Sequence, residues 1–343
     1  MRGCFRLAEV AYASAVSLRN ARYDRRGPSE VLPIPVVSVG NVTAGGTGKT
    51  PFVIEIVERL DRMGFSPAVV SRGYGAGETQ QAGGASGLPG ADETANDEER
   101  LIRRRCRGVI TVSNSNRAWA AEVAHRKCGA DVIVLDDGFQ HRRLGRSLDI
   151  VLVDATCPFG FGHMLPRGLL REPVASLRRA QLIALTRCDQ ASPAEIERIE
   201  TRIRSIVGDP LLLRCRHGVT SIDYLDDSPM EGGLDGRRAV LFAGLGHPEA
   251  FATTVRSLGV DVVAHRWWPD HHRYTLRQIK ALLEGDRLPP YDLLLTTEKD
   301  AVKLRDIDGI DPRRIGVVKV SIDLEGRGGT ILQSVLDEAL GRG

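Results

Sequence analysis

Residues 34–63 constrain this chain more than any other stretch. An apolar, β-branched run, IPVVSVG (34–40), leads into the glycine-rich TAGGTGKT (43–50), and an apolar-periodic segment then runs from about Lys49 to Met63. That order reads as strand, tight turn, helix. Gly45, Gly46 and Gly48 let backbone N–H groups turn inward on an anion, and the helix behind them presents its positive end. Lys49 supplies charge for the β- and γ-phosphates of a nucleotide, and Thr50 offers a hydroxyl to Mg²⁺. The candidate nucleotide loop is therefore Thr43, Ala44, Gly45, Gly46, Thr47, Gly48, Lys49 and Thr50. It departs from the strict G-x-x-x-x-G-K-[ST] pattern at one position, where Thr43 stands for glycine.

The same alternation continues downstream. PAVVS (67–71), GVITVS (108–113), ADVIVLDD (130–137), LDIVLVD (148–154) and AQLIALT (180–186) read as strands, with helices over 116–127 and 193–207. Near-continuous apolar strands separated by helices predict a parallel sheet covered on both faces. Composition turns polar at 221–238, and a second alternating series follows: RAVLFAG, a helix from Pro248, VDVVAHRW, a helix from Leu276, YDLLLTT and IGVVKVS. The expected fold is α/β: a P-loop NTPase-type parallel-sheet domain over 27–216 and a second, smaller α/β domain over 217–343, whose last helix is free to return to the first. Length agrees, since 343 residues correspond to about two domains. The stretch from Gly75 to Ala95, rich in glycine and small residues, reads as a long mobile loop.

Hydrophobic residues at 42% and charged residues at 27% exclude a disordered or multi-span membrane chain. A net charge of +3 gives no reason to expect a nucleic-acid partner. The six cysteines are scattered without a C-x-x-C or a Cys/His cluster, which fits a reducing compartment and argues against structural zinc. Residues 4–18 are mostly apolar but carry Arg6 and Glu9, and as a helix would reach only about 22 Å, short of a bilayer core of about 30 Å. Charge within the apolar stretch also argues against a secretory signal. What remains is an amphipathic helix over residues 1–26, flanked by Arg2, Arg19, Arg22, Arg25 and Arg26, suited to an anionic lipid surface or to packing on the domain.

Asp136 and Asp137 end the apolar strand VIVL, where a phosphate-loop protein places the acid that holds Mg²⁺. Asp97 and Glu98 open a helix, where capping is the plainer explanation. His271 and His272 are adjacent and point apart on a regular element, so zinc is not expected there. Gly244-Leu245-Gly246 lacks the third glycine of a dinucleotide fingerprint and reads as a tight turn. Thr186-Arg187-Cys188-Asp189 approximates the guanine reader Thr-Lys-x-Asp of GTPases. GGTGKT also approximates the loop of dimeric membrane-switch ATPases, but Ala44 stands where those carry their signature lysine. The alternative function is accordingly a nucleotide-switched, membrane-associated P-loop ATPase scaffold.

Taken together, SVGNVTAGGTGKTP (38–51), SRGYG (71–75), NDEERL (96–101), VLDDGFQHRRLGRSLDIVLVD (134–154), LPRGLLREP (165–173), FAGLGHPEAF (242–251), PDHHRY (269–274) and TTEKDAVKL (296–304) resemble the tetraacyldisaccharide 4'-kinases, the lipid A 4'-kinase family. Thr43 in place of glycine is normal in that family. The resemblance implies a kinase that uses ATP and Mg²⁺ to phosphorylate a lipid A precursor, a tetraacylated glucosamine disaccharide 1-phosphate, at its 4'-hydroxyl. It also implies a cytoplasmic protein, peripheral on the inner membrane through its first helix. Carried over by position, Asp97 looks like the base, with His271 its partner from the second domain and Lys49 on the phosphates. Thr50, Asp137 and Asp136 or Glu172 would hold Mg²⁺, and Arg72, Tyr74, Arg117, Gln140, His141 and Arg171 would meet the sugar and its 1-phosphate. One departure lies beside the base: the family usually follows the Asp-Glu pair with proline, and here Glu99 follows.

Overall fold

The computed structural model describes residues 2–72, 95–285 and 287–342, so the expected mobile loop up to residue 94, and Tyr74 before it, lie outside the described residues. Two compact units emerge, 1–216 with 322–343, and 217–321.

The first unit begins with α1 (Arg2–Arg26), β1 (Val36–Asn41), α2 (Lys49–Arg62) and β2 (Pro67–Ser71). It continues with α3 (Asp97–Arg105), β3 (Ile110–Ser113), α4 (Arg117–Cys128), β4 (Val132–Asp136), β5 (Leu148–Asp154), β6 (Leu182–Thr186), α5 (Pro193–Val207) and the start of β7 (Leu211–Tyr224). The strands follow the order β3-β2-β4-β1-β5-β6-β7 and pair in parallel throughout. Strands β1, β2, β4, β5 and β6 are buried along their whole length, which is why their sequences run apolar instead of alternating. Helix α2 turns Phe52, Val53, Ile54, Ile56, Val57 and Leu60 inward, each large side chain contributing about 1.5 to 3 kcal/mol. Helix α5 starts where its sequence says it should: Ser192 and Glu195 form a reciprocal capping box and Pro193 occupies the first turn.

Helix α1 is 25 residues long, well beyond the apolar stretch that marked it. Tyr12, Ala13 and Val16 pack against Val42, Leu170 and Leu177 of the first unit's core, while Leu7, Val10 and Leu18 stay exposed on the other side. Among the described residues no helix is long and apolar enough to cross a membrane.

The second unit takes the rest of β7, then β8 (Arg238–Gly244), α6 (Pro248–Arg256), β9 (Asp261–Trp268), α7 (Leu276–Leu283), β10 (Leu293–Thr297), α8 (Glu298–Leu304) and most of β11 (Gly316–Leu324). Its parallel strands follow the order β11-β10-β8-β9. The chain returns to the first unit within β11 and ends with α9 (Gly328–Ala339), which meets α2 through Arg59 Nη1 donating to the Gly329 carbonyl at 3.3 Å. The polar composition expected to mark a break from residue 221 hides the second half of β7. That strand is only half-buried and carries polar residues on its open side, so it lacks the apolar run by which the other strands were recognised.

Candidate active site

Strand β1 lies between β4 and β5, and everything of chemical interest in the first unit gathers at its carboxyl end. The register sets Val39 opposite Asp136, so the carboxylate at the end of β4 and the glycine loop after β1 emerge side by side. Two glycines permit that closeness. A Cβ on Gly40 would sit 2.6 Å from Phe139 Cβ, and one on Gly138 would sit 2.6 Å from Ser38 Oγ. The segment Asp136-Asp137-Gly138-Phe139 can therefore fold directly against β1.

The loop from Thr43 to Gly48 is held from several sides. Ala44 N–H donates to the Leu169 carbonyl at 2.6 Å, and Arg171 N–H donates to the Val42 carbonyl at 2.8 Å. Asn41 Nδ2 donates to Thr47 Oγ1 at 3.0 Å, and Asn41 Oδ1 accepts from Lys49 Nζ at 3.4 Å. Gly45 and Gly48 have φ of 110° and 82°, the left-handed region that glycine enters without cost. Gly48 is the residue before helix α2, so Lys49 and Thr50 stand in its first turn.

Lys49 Nζ lies 3.5 Å from Asp137 Oδ1, and Arg171 Nη1 donates to both oxygens of the same carboxylate at 3.0 and 2.7 Å. Burial works to raise the Asp137 pKa, but Lys49 and Arg171 outweigh it and hold the group below the usual carboxylate range. Asp136 goes the other way. It is 8% exposed, and burial, reinforced by the negative charge of Asp137, pushes it up to about 6. Its Oδ1 is buried without a hydrogen-bond partner. A buried, unsatisfied carboxylate oxygen beside a second carboxylate, with the Thr50 hydroxyl in the first turn of α2, is a donor set suited to Mg²⁺, which takes one or two carboxylates and completes its shell with phosphate and water. Among the described residues no group of three or more His, Cys, Asp or Glu could hold a metal unaided, as that coordination habit allows.

Asp97 is the first residue of α3. The cap is its neighbour: Asn96 Oδ1 accepts from Glu99 N–H at 2.8 Å. Glu98 is near enough for its charge to act on Asp136. Glu99 is buried, and it accepts from Arg103 Nη2 at 2.6 Å, from Thr111 Oγ1 at 2.7 Å and from Ser113 Oγ.

The other expected residues divide. Arg117 is buried, its Nη1 donating to the Asp137 carbonyl at 2.8 Å. Gln140 Nε2 donates to the Asn41 carbonyl at 2.8 Å, at the end of β1. His141 is half-buried, and burial together with Arg117, Arg146 and Arg143 lowers its pKa to about 4. Arg72 is exposed just past β2. His271 follows β9 in the second unit with φ of 60° and its Nε2 3.8 Å from Asp270 Oδ2.

Glu172, expected on Mg²⁺, has protein partners here. It is fully buried, with Oε1 taken by Arg19 at 2.8 Å and Oε2 by Asn20 and Arg179 at 3.0 and 2.8 Å. Those three donors take three of the carboxylate's roughly four acceptor sites, so in this arrangement Glu172 ties α1 to the first unit. In the tetrapeptide 186–189, Arg187 is buried and paired with Asp154, and Asp189 is exposed. Asn41 was missed. Its only sequence signal is an amide at the last position of a strand that feeds a phosphate loop.

Similarity to known proteins agrees with this geometry. The family model described as tetraacyldisaccharide-1-P 4'-kinase matches residues 2–340. A tetraacyldisaccharide 4'-kinase from Anaeromyxobacter dehalogenans is 41% identical over 350 residues, covering 97% of this chain and 89% of that protein. Another, from Syntrophus aciditrophicus, is 40% identical over 316 residues, covering 87% and 83%. The crystal structure of LpxK from Aquifex aeolicus in complex with ATP is 25% identical, with a TM-score of 0.73 and 99% of each chain covered. A match that spans both units assigns the chain as a whole: it belongs to the tetraacyldisaccharide-1-P 4'-kinase family.

Proposed function

We propose that this chain transfers the γ-phosphoryl group of ATP to the 4'-hydroxyl of a tetraacylated glucosamine disaccharide 1-phosphate. The observation that carries the reading is the constellation at the end of β1: Lys49 and Arg171 on Asp137, beside the buried and unsatisfied Asp136, behind a glycine loop at a helix N-terminus. Phosphoryl transfer asks a protein mainly to position the reactants and neutralise charge, and this site is built for both. The loop N–H groups and Lys49 hold the β- and γ-phosphates. Bound Mg²⁺, held by Thr50, Asp136 and Asp137, would neutralise charge on the β- and γ-oxygens. Asp97 takes the proton of the attacking hydroxyl as the new oxygen–phosphorus bond forms, and ADP leaves as the bond to the γ-phosphorus breaks. His271 is assigned as the partner of Asp97 on the strength of the family motif PDHHRY. Arg72, Tyr74, Arg117 and His141 are assigned to the acceptor on the same ground.

The acceptor carries four acyl chains, and withdrawing them from a bilayer costs about 0.8 kcal/mol for each CH₂. The protein therefore works at the lipid surface. Helix α1 is suited to lying there, since Leu7 and Leu18 are 75% and 76% exposed, and Arg22, Arg25 and Arg26 stand exposed toward its end. A peripheral position on the cytoplasmic face of the inner membrane follows from this reading.

The test is Mg²⁺-dependent ATP consumption driven by detergent-dispersed disaccharide 1-phosphate, with mass spectrometry of the product. A phosphate added to the distal sugar is the expected result. Asp97→Ala is expected to lose most turnover and to keep nucleotide affinity. Full turnover in that variant would remove Asp97 as the base.

A further inference from the structure

The tetrapeptide Thr186-Arg187-Cys188-Asp189 has no part in the chemistry above, yet its first two side chains reach the phosphate loop. Thr186 Oγ1 donates to the Thr47 carbonyl at 3.0 Å, and Arg187 Nη2 donates to the Gly46 carbonyl at 2.7 Å. Arg187 is itself fixed. Its Nη1 pairs with Asp154 Oδ2, and the other oxygen of that carboxylate accepts from Thr156 N–H and Oγ1 at 3.0 and 2.7 Å. The register of β5 against β6 puts Asp154 directly opposite Thr186, so the apparatus is an outgrowth of two adjacent strand ends. Thr186 is fully buried, Asp154 and Arg187 nearly so, and Arg187 adopts φ of 55°, a left-handed conformation unusual for a side chain of its size.

A trans peptide sets its C=O and the following N–H in opposite directions. Pulling the Gly46 carbonyl toward Arg187 therefore turns the Thr47 N–H away from it, and pulling the Thr47 carbonyl toward Thr186 does the same for the Gly48 N–H. We propose that Thr186 and Arg187 are positioning residues for phosphoryl transfer: they anchor two consecutive carbonyls outward and thereby aim the Thr47 and Gly48 N–H groups at the nucleotide's phosphates. The inference rests on the nucleotide-loop reading of residues 43–50 and adds to it a device supplied by β5 and β6. Its value is preorganisation. A glycine-rich loop left to itself populates many backbone states, and donors already aimed cost no reordering when the anion arrives.

Thr186→Val removes one anchor without disturbing a charge, and Arg187→Lys keeps a cation on Asp154 while giving up the fork that spans to Gly46. Fluorescent ATP and AMP analogues are titrated against the full-length protein, and melting is followed without nucleotide. Each variant is expected to bind ATP about tenfold more weakly, the worth of a misdirected hydrogen bond to a charged group, with AMP affinity changed by no more than about twofold. Thr186→Ser, which restores the hydroxyl, is expected to recover ATP affinity. Wild-type ATP affinity in both variants, or equal losses for ATP and AMP, overturns the proposal. Wild-type protein that binds ATP and phosphorylates no disaccharide would retire the kinase reading and leave the anchors standing.

Discussion

Glu99 is where this chain departs from the proline expected after its Asp-Glu pair, and the structure gives the departure a purpose that can be measured. The Glu99 carboxylate receives Arg103, Thr111 and Ser113, and Ser113 Oγ is in turn 2.8 Å from Ser71 Oγ. The first turn of α3, which presents Asp97, is thereby latched to the ends of β3 and β2. Glu99→Ala strips a nearly fully buried anion from a cation whose side chain is only 15% exposed and strands two hydroxyl donors. Breaking a buried ion pair costs about 3 to 5 kcal/mol, and two hydrogen bonds to a charged acceptor at about 1.5 to 3 kcal/mol each lead to a similar sum. Glu99→Gln keeps the shape and loses the charge, so about half that cost is expected. Urea unfolding measures the stability loss, and steady-state kinetics on the folded fraction measures its functional consequence. Displacing Asp97 by about 1 Å is expected to lower kcat by roughly 10- to 100-fold with little change in the KM for ATP. A Glu99→Ala protein with wild-type stability, or one that loses ATP affinity in place of turnover, refutes the latch.

Glu172→Gln is expected to leave the Mg²⁺ requirement unchanged and to speed tryptic cleavage of the α1 backbone after the already exposed Arg19, Arg22 and Arg25, because the anion that receives Arg19, Asn20 and Arg179 is gone. A raised Mg²⁺ requirement with an intact α1 would return Glu172 to the metal. His141, whose pKa is lowered to about 4, stays neutral in the folded chain where the unfolded chain, near 6.5, takes up a proton. The unfolded state thus binds more protons between those limits, so stability should fall as pH drops from about 6.5 toward about 4, and His141→Gln should flatten that slope in pH-dependent unfolding. Replacing Leu7 and Leu18 together by Ser, at positions that face away from the core, should lower sedimentation with anionic vesicles and leave the melting temperature within about 1 °C. Equal vesicle binding would move the lipid contact elsewhere.

Much of the architecture was legible because it depends on local rules. Strands β2, β5 and β8 begin and end where their apolar runs do, since a strand buried on both faces must be apolar throughout. Helices α5, α6 and α7 start at the residues that their prolines and caps announce. Strand β7 escaped notice because half-burial leaves its open side polar, and polarity there reads as loop.

The sequence by itself determined the phosphate loop, its lysine and the two aspartates, because a strand, a glycine turn and a helix N-terminus are contiguous in the chain and the chemistry of each is fixed by residue type. Only the tertiary structure decided how acids of the same kind are used. Asp136 is left unsatisfied, Asp137 is clasped by Lys49 and Arg171, Glu99 latches a helix, and Glu172 is consumed by α1. Arg187 likewise passes from a suspected base reader to a brace under the loop. A carboxylate or guanidinium takes its role from its partners and its burial, and those are supplied by segments up to about 150 residues away in the chain, whose meeting no local pattern records.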